Sequence, residues 1–283
     1  MRIRIITDSA SDLLSPHRPE ITILPMTITF GETAYLDDGV ELTHQKFYEL
    51  LVQGEDLPIT SQITPIQFET AFQSAVDAGE SVVAVLLSGK LSGTYQSACI
   101  AAEQFPGKVY VVDSENASIG EQILVKRAAE LMDTGLSAAA IAQKLDQEKN
   151  RVRLLALLDT LKYLKRGGRI SSATAMVGGM LSIKPVITIT EGEVALLGKA
   201  RGSKNGNNLL VQEIQKVSGI DFSRPYLLGY TGLDDALLRK YIADSRQLWK
   251  SHTEELPVTT VGGTIGTHVG PGAVAVAFFA KGV

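Results

Sequence analysis

The chain has 283 residues, 45% of them apolar and 20% charged, with 27 basic and 31 acidic side chains and a net charge of −4. That composition excludes disordered and collagen-like chains, and the acidic balance argues against a broad nucleic-acid-binding face. The length fits one large domain or two modest ones, and a single cysteine, Cys99, excludes an internal disulfide and any cysteine-pair zinc site.

The opening Met-Arg-Ile-Arg-Ile-Ile is too short and too charged for a signal-peptide core. The longest unbroken apolar run, 273–280, has eight residues, far below the roughly 18 that a membrane span needs. A soluble, cytoplasmic protein is therefore expected.

In chain order, 3–7 reads as a strand ending in Thr7-Asp8-Ser9, and 21–30 with 34–36 as a hairpin around Gly31-Glu32. A helix is expected over 43–52. Thr64-Pro65-Ile66-Gln67 has the form of a capping box with proline in the first turn, opening a helix to about 77. Strands follow at 81–87, 108–112 and 152–158, with helices at 93–104, 118–132 and 137–147 between them. Strands apolar on both faces and alternating with helices imply a parallel sheet covered on both sides. Four such strands are expected, at 3–7, 81–87, 108–112 and 152–158. Ligands of such sheets bind at the strands' carboxyl ends, here marked by Asp8-Ser9, Ser88 and Asp113-Ser114.

Beyond 160 the pattern changes. Residues 171–183 are rich in Ala, Met and Gly; 186–190 and 194–197 read as a hairpin. Helices are expected at 203–217 and 233–251, and strands at 226–230, 258–261 and 273–280. The expected architecture is α/β in two domains. Residues 1–160 carry the parallel sheet, and residues 161–283 a mixed or antiparallel sheet with inserted helices.

Common nucleotide and hydrolase signatures are incomplete. Ser88-Gly89-Lys90 lacks the first P-loop glycine, where Ala84 stands, and Leu91 replaces its Ser/Thr. Gly270-x-Gly272 continues to Ala275, not to a glycine. Lys90 breaks a Gly-x-Ser-x-Gly elbow at Ser92. The histidines at 17, 44, 252 and 268 have no metal-ligand spacing, so neither metal nor cofactor is expected.

Other segments carry more chemistry. Leu91-Ser92-Gly93-Thr94 follows a buried strand and opens a helix. Unpaired N–H groups, the positive end of the dipole and the Ser92 hydroxyl together suit an anion, although Ser92 also fits a plain N-cap. Thr60-Ser61 offers two adjacent hydroxyls or an ordinary hydroxyl turn. His268 lies in the glycine-dense 266–273, where backbone can approach a ligand closely. Lys162, Lys165, Arg166 and Arg169 surround Gly167-Gly168, as basic residues do at a helix end. Arg201 and Lys204 form a second basic pair.

These segments, in order, are Thr7-Asp8-Ser9 with Asp12-Leu13, Thr60-Ser61-Gln62-x-Thr-Pro, Leu91-Ser92-Gly93-Thr94-Tyr95, Leu161-x-Tyr-Leu-Lys-Arg-Gly-Gly168-Arg169-Ile170, Ile183-Lys184-Pro185 and His268-Val-Gly-Pro-Gly-Ala. Over nearly the whole chain this resembles the DegV family of bacterial fatty-acid-binding proteins. The resemblance implies two α/β domains with one long-chain fatty acid buried between them. It further implies presentation of the carboxylate to a separate fatty acid kinase, which makes an acyl-phosphate, with no catalysis by this chain itself. By the same resemblance Thr60, Ser92 and the Gly93 N–H would hold the carboxylate. His268 and Arg169 would lie beside it, and Arg201 would face the kinase. The sequence departs from many members at Ser88-Gly89-Lys90 and at Val269, neither of which removes a proposed ligand. The stretch 175–181 would supply small and flexible tunnel walls, with methionine adapting to alkyl shapes.

The same residues admit an acyl hydrolase with Ser92 as nucleophile, His268 as base and Asp8 or Asp113 as the orienting carboxylate; the missing elbow counts against it. A small-molecule kinase lobe binding phosphate at the helix after Ser92 is a third reading, against which the missing P-loop stands.

Overall fold

The computed structural model describes residues 2–13, 18–54, 57–171, 183–253 and 255–281. Its strands in the first half are β1 (Arg2–Asp8), β2 (Ile21–Leu24), β3 (Thr27–Phe30), β4 (Thr33–Leu36), β5 (Ile59–Ser61), β6 (Glu80–Leu86) and β7 (Val109–Asp113). In the second half they are β8 (Val152–Leu157), β9 (Ile183–Thr190), β10 (Glu193–Arg201), β11 (Tyr226–Tyr230), β12 (Val258–Thr260) and β13 (Val274–Phe279). The helices are α1 (His44–Gln53), α2 (Pro65–Asp77), α3 (Thr94–Ala102), α4 (Ile119–Asp133), α5 (Ala138–Glu148) and α6 (Lys162–Arg166). After the hairpin come α7 (Ser203–Lys216), α8 (Ala236–Asp244), α9 (Arg246–Trp249) and α10 (Gly263–Val269).

The strands form three sheets. The first, in the order β2-β1-β6-β7, is parallel throughout. Every residue of β6 is buried, as a central parallel strand covered on both faces requires. The second, β10-β9-β8-β13-β11-β12, is antiparallel except where β11 meets β12. The third is a small antiparallel meander, β4-β3-β5.

Several elements differ from the sequence reading. The strand at 152–157 pairs with β13 and β9, so it belongs to the second sheet although it precedes residue 160. Its apolar run is the same in either setting, because burial on both faces does not report strand direction. The segment 21–30 is two strands: β2 joins β1 in the parallel sheet, while β3 pairs with β4 and β5. The helix expected over 233–251 breaks at Ser245, whose hydroxyl bonds back to the Tyr241 carbonyl at 2.6 Å and accepts the Trp249 indole N–H at 2.9 Å. The capping box forms as expected, with Thr64 and Gln67 bonded to each other's backbone.

Helix α4 is the element between the sheets. It packs on β1 and β6 of the first and on β8, β11 and β13 of the second, and eleven of its fifteen residues are buried. The main core is continuous across both sheets for that reason. Helix α10 is packed differently, through missing side chains. A Cβ at Gly263 would lie 2.5 Å from Ile28 Cδ1, and one at Gly266 2.5 Å from Phe47 Cε1 and 2.7 Å from the Tyr48 hydroxyl. Gly266→Ala should therefore overpack this contact and cost about 1–3 kcal/mol. Urea unfolding of the variant should show a lower midpoint with an unchanged slope; an unaltered midpoint would mean that α10 can shift freely.

Candidate functional site

A cavity of about 190 Å³ opens between the two sheets beside α4. Along β8 and just past its end the lining residues are Leu154, Ala156 and Leu158, and just before and along β13 Ala273 and Ala275, the two-residue period of one sheet face. Ladder register sets Ile187, Ala156, Ala275 and Gly229 in one row across β9, β8, β13 and β11. Three small residues in that row leave depth over the sheet. Met26, Leu87 and Ala117 also line it. No carboxylate is among the described lining residues.

The structure brings Thr60, Ser92, Gly93, Arg169 and His268 to this one cavity. Arg201 is not among its lining residues; it ends β10 and is exposed. The segment 175–181 lies outside the described residues. Thr60 is the middle residue of β5, paired with Ile28 of β3. Ser92 precedes α3 but is not its N-cap, a position held by Gly93. Its Oγ accepts the Thr94 N–H at 3.2 Å and shares a hydrogen bond with Thr94 Oγ1 at 3.0 Å. The Gly93 N–H has no partner among the described residues. A Cβ at Gly93 would collide with the amide of Gln62, which crosses this turn to donate to Ser97 Oγ at 3.1 Å.

His268 is on the last turn of α10, not in a loop between strands. Glycine density concealed the helix, since glycine is a poor helix former on its own and here is required by packing. His268 Nε2 lies 3.0 Å from Thr60 Oγ1. Its Nδ1 is buried without a partner and faces Gly167, where a Cβ would collide with it. An orphaned buried acceptor is more tolerable than an orphaned N–H, so the proton belongs on Nε2, donating to Thr60 Oγ1. The Thr60 hydroxyl hydrogen is then free to point at a ligand.

Burial, reinforced by the positive charge of Arg169, pushes the His268 pKa down to about 4. The guanidinium is fixed by backbone carbonyls: Nε donates to Leu91 at 3.1 Å and Nη1 to Gly167 at 2.6 Å. The mouth thus combines one fixed cation, two hydroxyls, a free N–H and the positive end of α3. It suits an anion whose remainder is apolar.

Gln62, Gly167, Asp12 and Asp37 escaped the sequence reading as parts of the site. Gln62 and Gly167 act through close approach, which local sequence does not encode. Asp12 and Asp37 reach α10 across more than 200 residues.

The hydrolase arrangement is not assembled. Ser92 Oγ is bonded to Thr94, and among the described residues no hydrogen bond joins it to His268. Asp8 accepts from the Ala10 and Leu87 N–H groups at 2.9 and 3.0 Å, and burial raises its pKa to about 7. Asp113 accepts from the Glu115 N–H at 2.8 Å and from Gly89. Neither carboxylate orients the imidazole. No group of three or more potential metal ligands occurs among the described residues, and no helix there is long and apolar enough to cross a membrane.

An α/β protein with an apolar cavity between two sheets and a cationic, donor-rich mouth at a helix start is the class that this geometry defines. A family model described as "Uncharacterised protein, DegV family" matches residues 2–281, and the chain belongs to the DegV family. A DegV domain-containing protein of Deinococcus radiodurans is 35% identical over 282 residues, 98% of each chain. A fatty-acid-binding DegV family protein from Thermus thermophilus has a similar structure, with a TM-score of 0.88 and 32% identity over 99% of this chain and 100% of that one. The Streptococcus pneumoniae fatty acid kinase (Fak) B3 protein, loaded with linoleic acid, shares the fold at a TM-score of 0.87 and 23% identity, over 99% and 100% of the two chains.

The depressed pKa fixes the sign of a titration test. Between about pH 4 and 6.5 the unfolded chain binds a proton at His268 that the folded chain does not. This residue's contribution to stability is therefore full above pH 6.5 and declines as pH falls toward 4. NMR of the imidazole should show one neutral tautomer at pH 6–8 and an apparent pKa near 4, and the stability of His268→Gln relative to wild type should rise as pH falls from 6.5 to 4. A ring that titrates near 6.5 would refute the buried neutral assignment.

Proposed function

We propose that this protein binds one long-chain fatty acid in the cavity and presents its carboxylate to a separate, ATP-dependent fatty acid kinase. Thr60 and Ser92 would donate their hydroxyl hydrogens to the carboxylate, and Gly93 its free N–H. Arg169 would supply the countercharge, and His268 would orient Thr60. The observation that carries the binding is the pairing of largely apolar walls, free of carboxylates among the described residues, with a cationic, donor-rich mouth. The similar Thermus thermophilus protein, which binds fatty acid, supports the same reading. Burying about 15 methylenes at ~0.8 kcal/mol each gives about 12 kcal/mol gross. Association costs of several kcal/mol still leave room for tight binding.

Acyl-phosphate formation needs a carboxylate oxygen to attack the γ-phosphorus of ATP, forming the new O–P bond as the bond to ADP breaks. The binding protein's part is to hold one oxygen by hydrogen bonds and leave the other open at the mouth. Arg201 stands apart from the cavity, exposed at the end of β10, and is the proposed contact for the kinase. Division into residues 1–160 and 161–283 remains part of this reading, with the ligand between the sheets and β8 contributed to the second sheet by the N-terminal segment.

Three measurements test the proposal. Denaturing extraction, or loading with oleate or palmitate, should give about one fatty acid per chain. Ser92→Ala should weaken binding by about tenfold to a hundredfold, the loss of a charge-assisted hydrogen bond of about 1.5–3 kcal/mol; unchanged affinity would reduce Ser92 to a turn residue. The protein alone should not cleave p-nitrophenyl esters or acyl thioesters faster than Ser92→Ala does, and turnover lost with Ser92 would establish the hydrolase instead.

For the partner, Arg201→Ala should leave oleate affinity intact and slow kinase-dependent phosphorylation. The deficit should shrink as salt rises, since charge steering is screened beyond about 8–10 Å at physiological ionic strength. A parallel loss of binding would place Arg201 in the pocket, and no change would leave it as solvated surface.

A further inference from the structure

Helix α10 begins on two buried aspartates. The Gly262 N–H donates to Asp12 Oδ1 at 2.7 Å, and the Gly263 and Thr264 N–H groups donate to Asp37 at 3.3 and 2.9 Å. Thr264 Oγ1 adds a fourth bond, to Asp37 Oδ2 at 2.6 Å. Asp12 also accepts the Ser118 hydroxyl at the start of α4. Asp12 and Asp37 are 2% and 9% exposed, and among the described residues neither forms an ion pair. Both are thus committed to the first turn of a seven-residue helix, a large desolvation cost for so small an element.

The helix has a defined task at its other end. Residues four apart share a helix face, so Thr264 and His268 face the same cavity, and both line it. Three bonds from Asp37 to residues 263 and 264 fix the rotation of that face. Side chains reach about 5–6 Å from a helix axis, so a rotation of roughly 20° would carry the imidazole about 2 Å. That is enough to break its 3.0 Å contact with Thr60. Asp37 is itself tied to the meander that carries Thr60: its N–H donates to the Met26 carbonyl at 2.9 Å, beside β3, which pairs with β5. One small sheet therefore grips α10 at both ends, through Asp37 at the start and Thr60 at the finish.

We propose that Asp37, supported by Asp12, is a positioning residue for the head-group site: its hold on Gly263 and Thr264 sets the rotation of α10 that places His268 Nε2 on the Thr60 hydroxyl. The chemical selectivity that results, for a carboxylate over an uncharged head group, rests on the fatty-acid reading above; the placement of the ring does not.

The test separates the two. In ligand-free protein labelled with 15N-histidine, the His268 ring should give the signature of a single Nε2–H tautomer. Asp37→Asn, which sets an amide donor against backbone donors, should average that signature. With ligand, Asp37→Asn should lower oleate affinity about tenfold and change affinity for the matching fatty alcohol less than about threefold. Thr60→Ala should then add little further loss in the Asp37→Asn background, as expected for residues acting through one contact. Should Asp37→Asn fail to fold, Thr264→Val and Thr264→Ser decide the matter: Val should disturb the ring signal and Ser should restore it. A folded Asp37→Asn, or a Thr264→Val, with an unaltered ring signal overturns the proposal. Altered ring signals in the variants, together with a wild-type protein that takes up no fatty acid, would uphold the positioning and sink the ligand assignment.

Discussion

The hydrogen bond between Thr60 and His268 joins residues 208 positions apart, and the rest of the site is arranged around it. Thr60 comes from a three-residue strand at the edge of a small meander, His268 from the end of a short helix packed on glycine faces. Neither element would hold its place alone: a seven-residue helix is too short to be stable in water, and a three-strand meander has little core of its own. Each is fixed by the other and by α1, whose Phe47 and Tyr48 fill the space that Gly263 and Gly266 leave.

The electrostatics of the mouth follow from the same packing. An imidazole pressed onto Gly167 cannot hydrate, and a guanidinium fixed nearby opposes its protonation. The ring therefore acts as a neutral donor that leaves the threonine hydroxyl directed outward. Acidic groups are nearby but turned away. Asp8, Asp12, Asp37 and Glu121 are all buried, their pKa values raised chiefly by desolvation, and the hydrogen bonds of the three aspartates run to helix starts and strand ends. Among the described lining residues the cavity thus has a cation, Arg169, at its head and no carboxylate along its walls. The proposed orientation of a fatty acid, carboxylate toward the mouth, rests on that asymmetry.

Depth comes from the second sheet. The strand at 152–157 supplies Ala156 to a row of small residues that continues through Ala275 and Gly229. Had that strand extended the parallel sheet, as its sequence suggested, the row would not exist. Its apolar run fits both positions equally, and only the pairing partner distinguishes them.

Local physics made much of the protein legible in its sequence. The capping box at Thr64, the buried run of β6 and the small-residue helix start after Ser92 all depend on neighbours within a few positions, and the ordered motifs carried the family. The helical state of 263–269 was hidden, because its glycines answer to Phe47, Tyr48 and Ile28 and not to their own neighbours. Gln62 over Gly93, Gly167 against the imidazole and Asp37 at the start of α10 were hidden likewise. Composition and order of residues determined which groups are available: hydroxyls, one imidazole, an arginine, and strands apolar enough to bury. Tertiary structure decided which of them meet, because close approach and hydrogen-bond partnership across some 200 residues are properties of the packed chain and leave no periodic trace along it.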